Sequence, residues 1–361
     1  MSKKVLILVA HRKGRSPSQR YRFEQYLPFL ESKGYTFEWS NLLDAKADRD
    51  FYAAGGALRK VGILLGHVWQ RMRDWRRMNS YDVVFIQREA LFLGSGFFEH
   101  RAYRSGAHVI FDFDDAIWKA DTSPGNQKWE WVKRPAKFFD NAAHAHVVLA
   151  GNAYLAEQAR KVNKNVLLVP TTVDTAFHKP LPHLRGGPVV CIGWSGSVST
   201  VKHFVSLLPV LRRIEQQYGA VVRFRLLGDA NFKSSHPKVE ALAWTEATEV
   251  DVLNSFDIGL MPLPDDEWAR GKCGLKALTY LACGVPAVVS PVGVNVDIVQ
   301  PGVSGLHAVS DDEWYEALCK LIDDVALRKQ MGVAGRTFVE KHYSVEANKH
   351  LYLEAFEKRQ K

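Results

Sequence analysis

The sequence predicts an α/β protein made of two doubly wound parallel sheets. Short strands rich in Val and Ile alternate with helical segments, a pattern typical of parallel sheets covered by helices on both faces. The pattern stops in a stretch dense in Pro, Gly and Thr (169–188) and then restarts, and 361 residues suffice for two cores. We therefore expect two Rossmann-like domains over residues 1–180 and 181–342, and a C-terminal helix over 343–361 that packs back on the first domain.

Each predicted element follows from its own local pattern. Strands are predicted where short apolar runs are bounded by Gly or polar residues, and helices where apolar residues recur at steps of three and four. In the first half the predicted elements are strands over residues 5–10, 35–39, 83–87, 108–113 and 146–150, and a helix over 20–33. In the second half they are strands over residues 189–193, 222–227, 257–261 and 287–290, and helices over 204–218, 312–323 and 327–342.

The composition excludes several classes of protein. No run approaches the ~20 apolar residues that span a bilayer, and the apolar run 5–10 is too short for a signal peptide. The four cysteines form neither a metal-binding pattern nor a disulfide framework. We therefore expect a cytoplasmic protein, with an association with the inner face of the membrane left open.

Charge is distributed unevenly along the chain. Residues 1–186 carry 29 Lys and Arg against 18 Asp and Glu, a net charge of +11, whereas residues 187–361 carry 19 against 21, a net charge of −2. This asymmetry indicates an anionic partner for the first half. No nucleic-acid recognition motif accompanies the charge, so we expect no nucleic-acid partner.

The stretch 270–295 is the strongest candidate for a binding site. Lys272 and Lys276 bracket Gly274, and an apolar helical run begins at Leu275. The start of this helix would combine free backbone N–H groups, the positive end of the helix dipole and two ammonium groups. That combination favours a phosphate ligand.

A second candidate is the loop after the first strand of the second half. Gly193, Ser195, Gly196 and Ser197 make it small and rich in hydroxyls, so its backbone could approach a ligand at the carboxyl end of a strand. The alternative is that a strand-to-helix turn needs glycine for its own geometry, and both interpretations stay open. Lys202, just beyond the loop, is interpreted as a surface residue.

The strand over 108–113 leads into a cluster of carboxylates, namely Asp112, Asp114 and Asp115. These groups could bind a divalent metal, supply a base or orient a ligand, and one of them is expected to cap the following turn. Carboxylates at the tip of a central strand are costly to bury unless they have partners. At least one functional role is therefore expected here.

Charged residues of the first half are candidates for an acceptor site. The stretch 12–22 holds four Arg and one Lys, and Arg20 is expected at a helix start, where it could help to bind an anionic acceptor. The alternative is a solvated basic loop. Arg88 and Glu89, at the end of the predicted strand over 83–87, could be a site pair or an ordinary salt bridge.

The segment 57–78 is predicted to be an amphipathic helix. Its apolar residues recur at steps of three and four, and they are Leu58, Val61, Leu65, Val68, Met72 and Trp75. Six arginines and lysines occupy other positions of the segment. Such a helix can lie in a membrane interface, where each cation near an anionic leaflet adds ~1 kcal/mol. The alternative is a helix that packs its apolar side on the core, and both interpretations stay open.

Several of these motifs together resemble a known family. In the second half the resembling stretches are IGWSGSVST, LLGDA, SFDIGLMPL, GKCGLKALTYLACGVPAVVSPVG and residues 302–305, and in the first half RYR, FIQRE, FDFDDAIW and PTTVD. Residues 186–345 resemble the C-terminal domain of the retaining nucleotide-sugar glycosyltransferases of family 4 (glycosyl transferases group 1), which have the GT-B fold. The first half resembles that family more loosely.

The resemblance implies two domains that face a cleft, with a nucleotide-sugar donor bound in it. It implies donor binding by Gly193, Ser195, Gly196, Ser197, Lys272, Gly274, Leu275, Lys276 and Thr279. It implies acceptor binding by Arg20, Arg88 and Glu89 of the first domain, and catalytic roles for Asp114, Asp115 and Lys276. No metal or other cofactor is expected, since the nucleotide-sugar is a substrate.

The sequence also departs from the family pattern at three positions. The usual signature has two glutamates eight positions apart, and here those positions hold Gly271 and Thr279. Many members carry a His-Asp pair where this chain has Asp114 and Asp115. A lysine-bearing variant of the signature could use Lys272 and Lys276 for the phosphates instead.

Three functions are compatible with these observations. The first is a glycosyltransferase, retaining and metal-independent, that acts on a cell-surface glycan such as lipopolysaccharide or on its lipid-linked precursor, in peripheral contact with the membrane through residues 57–78. The second is a related transferase with a soluble small-molecule acceptor. The third is a non-catalytic nucleotide-sugar-binding protein, which the missing glutamates motivate.

Overall fold

The computed structural model of the chain describes residues 2–52, 56–92, 94, 96–119 and 136–358. It contains two compact units. Unit 1 comprises Met1–Thr171 and Asn348–Lys361, and unit 2 comprises Thr172–Ala347. The boundary between the first segment of unit 1 and unit 2 follows Thr171, nine residues before the predicted boundary at 180.

The reason for the earlier boundary is that the predicted linker is bound to unit 2. The amide of Val173 donates to the carbonyl of Tyr343 at 2.9 Å, and Arg336 donates to the carbonyl of Thr175 at 2.8 Å. Further along, the amide of Leu181 donates to the side chain of Asn254 at 2.7 Å. Residues that follow Thr171 are thus part of the second fold, although their composition is that of a linker.

Unit 1 holds a parallel sheet of six strands in the order β2-β1-β3-β4-β5-β6. The strands are β1 Lys3–His11, β2 Tyr35–Leu43, β3 Val83–Gln87, β4 His108–Phe113, β5 Val147–Ala150 and β6 Val166–Leu168. The helices are α1 Pro17–Arg20, α2 Leu27–Ser32, α3 Ala45–Tyr52, α4 Ala57–Arg77, α5 Phe97–Tyr103, α6 Lys137–His144 and α7 Ala153–Arg160. The apolar centre of β1 is fully buried because β1 lies between two other strands.

Unit 2 holds a second parallel sheet in the order β12-β11-β10-β7-β8-β9. Its strands are β7 Val190–Ser195, β8 Val222–Gly228, β9 Val239–Ala243, β10 Ile258–Met261, β11 Ala287–Val289 and β12 Gly305–His307. The helices are α8 Val201–Val205, α9 Leu208–Tyr218, α10 Glu246–Asn254, α11 Glu267–Arg270, α12 Leu275–Ala282, α13 Asn295–Ile298, α14 Asp311–Asp323 and α15 Val325–His342. The last helix, α16 Val345–Glu357, begins in unit 2 and lies mostly in unit 1. The second division of the chain lies in the first turn of α16.

The predicted fold class, α/β with two doubly wound parallel sheets, is confirmed. Three strands were missing from the prediction, and all three (β6, β9 and β12) are edge strands. An edge strand is covered on fewer sides than a central one, so it does not need the continuous apolar run that identifies a buried strand.

Proline divides two of the predicted helices. The predicted helix over 20–33 is replaced by α1, a 3₁₀ turn over Glu24–Tyr26 and α2, which has Pro28 in its first turn. The predicted helix over 204–218 is divided into α8 and α9, and α9 has Pro209 in its first turn. Proline has no amide hydrogen and is tolerated only at the start of a helix, so each helix begins anew there.

The C-terminal helix completes the core of unit 1. The ring of Tyr352 stacks on Tyr26 with centroids 4.3 Å apart, and Phe356 meets Tyr35 edge-on at 5.1 Å. The Nε2 atom of His108 lies 2.9 Å from the carbonyl oxygen of Ala355. Among the described residues, none of the helices combines the length and the hydropathy that crossing a bilayer requires.

Candidate functional site

The sheet of unit 2 reverses its strand order between β7 and β10. From β7 the chain builds β8 and β9 on one side, and it then returns to place β10 on the other side. Ligands of open parallel sheets bind outside the carboxyl ends of the strands at such a point. The loop after Ser195 and the segment that follows Met261 both begin there.

Tyr280 of α12 bridges the two strands at this point. Its hydroxyl oxygen accepts hydrogen bonds from the amide of Ser195 at 2.8 Å and from the Ser195 hydroxyl at 3.2 Å, and it donates to the carbonyl of Leu260 at 3.2 Å. Gly259 permits this position, because a Cβ atom there would lie 2.4 Å from the Tyr280 ring. Burial raises the pKa of Tyr280, so its hydroxyl stays protonated. Sequence analysis did not single out Tyr280.

The glycines of the loop have reasons in packing. A Cβ atom at Gly193 would lie 2.2 Å from the ring of Phe256, and one at Gly196 would lie 2.4 Å from the ring of Trp194. Packing against these rings accounts for glycine at both positions, and the two interpretations of the loop stay open. Ser197 is exposed, with its hydroxyl oxygen 2.9 Å from that of Ser199. Donor binding by this loop stays a prediction.

Gly274 fixes the start of α12. It precedes Leu275 in the left-handed conformation, with φ of 70°, and a Cβ atom there would lie 2.2 Å from Ile298. Only glycine fits both conditions. Leu275 itself is half-buried. Thr279 lies one turn into the helix, where its buried hydroxyl donates to the carbonyl of Lys276 at 2.9 Å, so its predicted contact with a ligand hydroxyl stays untested.

Three lysines converge on two tryptophans beside this helix start. The Nζ atom of Lys276 lies 5.3 Å from the ring centroid of Trp194, and the Nζ atom of Lys272 lies 3.6 Å from that of Trp268. Lys202 approaches the same Trp268 ring at 5.3 Å. Lys202 is exposed, as predicted for a surface residue, and the structure also places it beside the two lysines that the sequence singled out.

A histidine completes the cluster. The ring of His203 stacks on Trp268 with centroids 5.4 Å apart, and it is nine-tenths buried. Its Nε2 atom has no hydrogen-bond partner in the part of the chain that the structure describes. Burial, together with Lys276, Lys202 and Lys272, lowers the pKa of His203 to about 4, so the ring is neutral at pH 7. A neutral imidazole can donate or accept a hydrogen bond without adding charge.

The electrostatics of the cluster favour an anion. Burial and the neighbouring Lys272 lower the pKa of Lys276 to about 8. Within the described residues no carboxylate forms an ion pair with Lys276. Neighbouring ammonium groups repel each other, so a ligand with two negative charges stabilises them. We name this arrangement of Lys202, His203, Trp268, Lys272 and Lys276 the lysine cluster.

Sequence analysis found two members of the lysine cluster and missed three. Lys272 and Lys276 were visible because four residues separate them at a predicted helix start. Lys202, His203 and Trp268 come from α8 and α11, and only the fold brings those helices together. A tryptophan four residues before Lys272 was the one local signal that could have been used.

Unit 1 has its own cluster at the carboxyl ends of β3 and β4. Arg88 has φ of 62°, the left-handed conformation, which is costly for a residue with a side chain. Its guanidinium binds Asp114 at 2.8 and 2.9 Å and lies 3.7 Å from Asp115. Strained backbone of this kind is concentrated at functional sites. Asp115 also accepts from the amide of Ala116 at 3.0 Å, as expected for the turn-capping carboxylate.

The third carboxylate, Asp112, has a structural partner. It binds Arg22 at 2.5 Å, and both side chains are fully buried. Arg22 also donates to the carbonyl of Val169. The buried pair holds the first helical segment against the centre of the sheet. Since arginines bind both Asp112 and Asp114, the predicted alternative of a metal at these carboxylates has no support in the geometry.

The basic stretch 12–22 is largely engaged within unit 1. Arg12 and Arg15 bind the carboxylate of Asp48 at 3.2 and 2.6 Å. Arg20 lies at the last position of α1 and not at a helix start, with its guanidinium 5.1 Å from the Tyr21 ring centroid. Arg12 and Arg15 are also exposed, so the alternative of a solvated basic loop stays open, and acceptor binding by Arg20 stays a prediction.

The other predicted acceptor residue, Glu89, lies near a lysine of α6. Its carboxylate is 3.8 Å from the Nζ atom of Lys137, which also binds the buried Glu99 at 2.7 Å. Glu89 is 40 % exposed in its side chain, so it remains accessible to a ligand. Arg88 contacts Asp114 and Glu89 contacts Lys137, and the two interpretations of Arg88 and Glu89, a site pair or an ordinary salt bridge, stay open.

Helix α4 buries polar groups and exposes apolar ones. Arg71, fully buried, donates to Ser40 at 2.8 Å and to Asp74 at 3.0 Å, and His67 lies on the same buried side. The exposed large side chains lie on the opposite side, and they are Leu58, Val61, Leu65 and Trp69, exposed by 90, 48, 66 and 62 %. The alternative of an apolar stripe packed on the core is therefore wrong at Leu58, Val61 and Leu65, three of its six positions. We name Leu58, Val61, Leu65 and Trp69 the outer face of α4.

A match to a known protein family lies within unit 2. Residues 189–324 match the family model of the glycosyl transferases group 1. The curated D-inositol 3-phosphate glycosyltransferase of Corynebacterium diphtheriae is 29 % identical over 148 residues, which are 40 % of this chain and 29 % of that protein. The match thus spans less than a third of the length of that curated relative.

Solved structures resemble nearly the whole chain. HepE from Anabaena in complex with UDP-glucose has a TM-score of 0.69 at 12 % identity, with 98 % of each chain covered. Sucrose-phosphate synthase from Thermosynechococcus elongatus has a TM-score of 0.70 at 13 % identity, with 99 % of each chain covered. A glycosyltransferase from Rickettsia africae has a TM-score of 0.67 at 12 % identity and 98 % coverage of each. At this identity the likeness shows the fold, which is of the GT-B type.

Proposed function

We propose that the chain is a glycosyltransferase whose unit 2 binds a nucleotide-sugar through the diphosphate. One observation carries the proposal: Lys276 lies half-buried at the start of α12, its pKa is lowered to about 8, and Lys272 stands beside it. A diphosphate supplies the negative charge that would offset this buried positive charge. The match of residues 189–324 to the group 1 glycosyl transferases supports the same site.

The chemistry of sugar transfer explains why the lysine cluster would accelerate it. When the bond between the sugar and the nucleotide breaks, negative charge develops on the departing diphosphate. Ammonium groups that are already in place stabilise that charge without reorganisation of solvent. Because these ammonium groups supply the positive charge, the proposal takes the reaction to be metal-independent, and it takes the transfer to be retaining as the resemblance implies.

The similar proteins narrow the candidates for the donor. One of them is solved with UDP-glucose and another structure of the same protein is solved with UDP and glucose. We therefore propose a UDP-sugar as the first donor to test. The relative from Corynebacterium diphtheriae is named for a phosphorylated acceptor, and an anionic acceptor also suits the basic charge of the first half.

The outer face of α4 supports an acceptor at a membrane surface. It exposes three turns of apolar side chains, and Arg59 and Arg73 are exposed on the same helix. The guanidinium of Arg73 lies 5.0 Å from the ring centroid of Trp69. Apolar side chains and cations together are what an interfacial helix presents to an anionic leaflet. We propose peripheral contact with the inner face of the membrane and a lipid-linked acceptor.

The proposed donor site is tested by a thermal-shift panel of UDP-, GDP-, ADP- and dTDP-linked sugars. A ligand that binds only the folded protein raises the melting temperature, so one nucleotide should stabilise the wild-type protein selectively. The variant Lys276→Met should lose the shift. Lys320→Met, at an exposed position of α14 in the same unit, is the matched control and should retain it. Equal shifts in all three proteins would contradict the proposed site.

Catalysis is tested separately by following donor hydrolysis and transfer with radiolabelled sugar. The proposal expects slow release of nucleoside diphosphate from the donor and faster release once an acceptor is present. Selective binding of one nucleotide with neither reaction would favour the alternative of a non-catalytic nucleotide-sugar-binding protein. Transfer to a soluble sugar phosphate in the absence of lipid would favour the soluble acceptor.

A further inference from the structure

Two helices of unit 1 bring two histidines and a carboxylate together outside the sites described above. His100 lies on α5, and Asp140 and His144 lie one turn apart on α6. One ligand atom from each residue lies within 4.8 Å of the other two. Neither the sequence motifs nor the resemblance singles out this cluster.

The contacts within the cluster centre on the carboxylate. The Nε2 atom of His100 lies 2.9 Å from one oxygen of Asp140, and the Nδ1 atom of His144 lies 3.3 Å from the other oxygen. The same Nδ1 atom lies 2.9 Å from the main-chain oxygen of Asp140. Ligands at ~2.1 Å around a tetrahedral Zn²⁺ are about 3.4 Å apart. Small side-chain rotations therefore suffice to open the cluster around a metal ion.

The surroundings of the cluster hold it in place and favour a cation. The ring of Tyr103 stacks on His144 at 5.6 Å and meets His100 edge-on at 6.0 Å, and its hydroxyl donates to the carbonyl of Asn141 at 3.1 Å. The carboxylate of Asp140, between the two imidazoles, supplies the negative charge that a bound cation would meet.

The three ligand side chains are partly exposed, so a metal ion from solution can reach them. The exposed fractions of the side chains are 39 % for His100, 40 % for Asp140 and 51 % for His144. Two imidazoles and one carboxylate suit a first-row divalent metal, and three protein ligands leave a coordination position for water. We propose that His100, Asp140 and His144 form a binding site for Zn²⁺ or a similar transition-metal ion.

The position of the cluster indicates a structural role. His144 is the last residue of α6, which leads to the amino end of β5, whereas Arg88 and Asp114 lie at the carboxyl ends of β3 and β4. A metal bound to both helices would fix α5 against α6. Metal ions bind neutral imidazoles and ionised carboxylates, so binding should weaken as the pH falls.

The proposal is tested on the full-length protein after removal of metals with EDTA. Isothermal titration with Zn²⁺ should show one equivalent bound, and Co²⁺ should give the visible absorption of a nitrogen- and oxygen-ligated ion. The variants His100→Ala and His144→Ala should each weaken Zn²⁺ binding at least tenfold. His350→Ala, at an exposed histidine on α16, is the matched control and should bind as the wild type does.

A second variant separates metal binding from folding. His144→Gln keeps a hydrogen-bonding side chain beside Asp140 but removes the imidazole. In EDTA its melting temperature should equal that of the wild type, and only the wild type should gain several degrees when Zn²⁺ is added. Undiminished Zn²⁺ binding in both alanine variants, or no binding by the wild type, would overturn the proposal. Neither result depends on the donor site in unit 2.

Discussion

The hydroxyl group of Tyr280 accepts a hydrogen bond from the backbone amide of Ser195 at 2.8 Å, across 85 residues of sequence. Through the same hydroxyl, Tyr280 donates to the carbonyl of Leu260 on the neighbouring strand. The helix that begins with the lysines is thereby attached to the loop that follows β7. The two candidate stretches of the sequence are thus adjacent in the fold.

The variant Tyr280→Phe removes this attachment and keeps the ring. The buried amide of Ser195 and the carbonyl of Leu260 each lose a partner, which costs about 1–3 kcal/mol of unfolding free energy. Urea denaturation measures that loss. Donor affinity should fall as well, since the loop is no longer held. A variant with wild-type stability would show that water replaces the hydroxyl, and that this bond does not organise the site.

Lys276 should be unfavourable for folding and favourable for binding. Its pKa is about 8 in the folded protein and 10.5 in the unfolded chain, so the unfolded chain binds more protons between those values. Stability contributed by this residue is therefore lowest at pH 7 and recovers as the pH rises from about 8 to about 10.5. We expect Lys276→Met to melt no lower than the wild type at pH 7 while donor affinity falls roughly tenfold or more, the loss of one charge-assisted contact. A parallel loss of melting temperature would contradict this.

His67 should make unit 1 sensitive to acid. It lies 6.2 Å from Phe51 and 5.6 Å from Phe92, and burial lowers its pKa to about 4 with a further effect from Arg71. Above pH 6.5 the ring is neutral in both the folded and the unfolded state, so its protonation does not change the free energy of unfolding. As the pH falls from 6.5 to 4, the unfolded chain takes up the proton before the folded protein does. The unfolding free energy therefore decreases, and the decrease approaches about 3 kcal/mol.

The measurement compares urea denaturation at pH 7 and pH 5 for the wild type and for His67→Leu. The wild type should lose more stability between these values than the variant. His203 titrates in the same range and is present in both proteins, so it cancels from the difference. Identical pH dependence would mean that His67 gains a partner when it is protonated.

Removing one member of the buried pair of Arg22 and Asp112 should lower the unfolding free energy strongly, whereas replacing both with apolar residues should lower it much less. Arg22→Met leaves a buried carboxylate without its partner and should cost about 3–5 kcal/mol. The double variant Arg22→Met with Asp112→Leu should recover a large part of that loss. Arg213→Met, which breaks the exposed pair with Asp312, is the control and should leave stability nearly unchanged. A double variant as unstable as the single one would contradict this account.

The outer face of α4 should bind anionic vesicles. Wild-type protein should sediment with vesicles of phosphatidylglycerol and phosphatidylcholine and not with phosphatidylcholine alone. The double variant Leu65→Glu with Trp69→Glu should stay in the supernatant. Val333→Glu is the matched control, because Val333 is 69 % exposed in unit 2 and its replacement should leave sedimentation unchanged. Sedimentation of the double variant would assign membrane binding to another surface.

The sequence by itself determined the fold class, most of the elements and the two lysines at the start of α12. These follow from local rules: apolar runs such as 5–10 form buried strands, and Gly274 permits the left-handed residue before a helix. Three of the four edge strands (β6, β9 and β12) and the two helix divisions were missed. The missed strands are only partly buried, so they lack the continuous apolar run that identifies a strand. Proline ends one helix and starts the next, and the apolar spacing alone does not show that break.

Only the tertiary structure decided which charged residues meet. Arg22 binds Asp112 across 90 residues, and Lys202 approaches Trp268 across 66, so spacing along the chain carries no signal for either contact. The order of the strands brings these residues together. The orientation of α4 also depends on the tertiary structure. Its sequence pattern shows which side is apolar, but it does not show that the polar side is the buried one. The polar side of α4 can be buried because Arg71 finds partners there, among them the carbonyls of Ser40 and Val9 on β2 and β1.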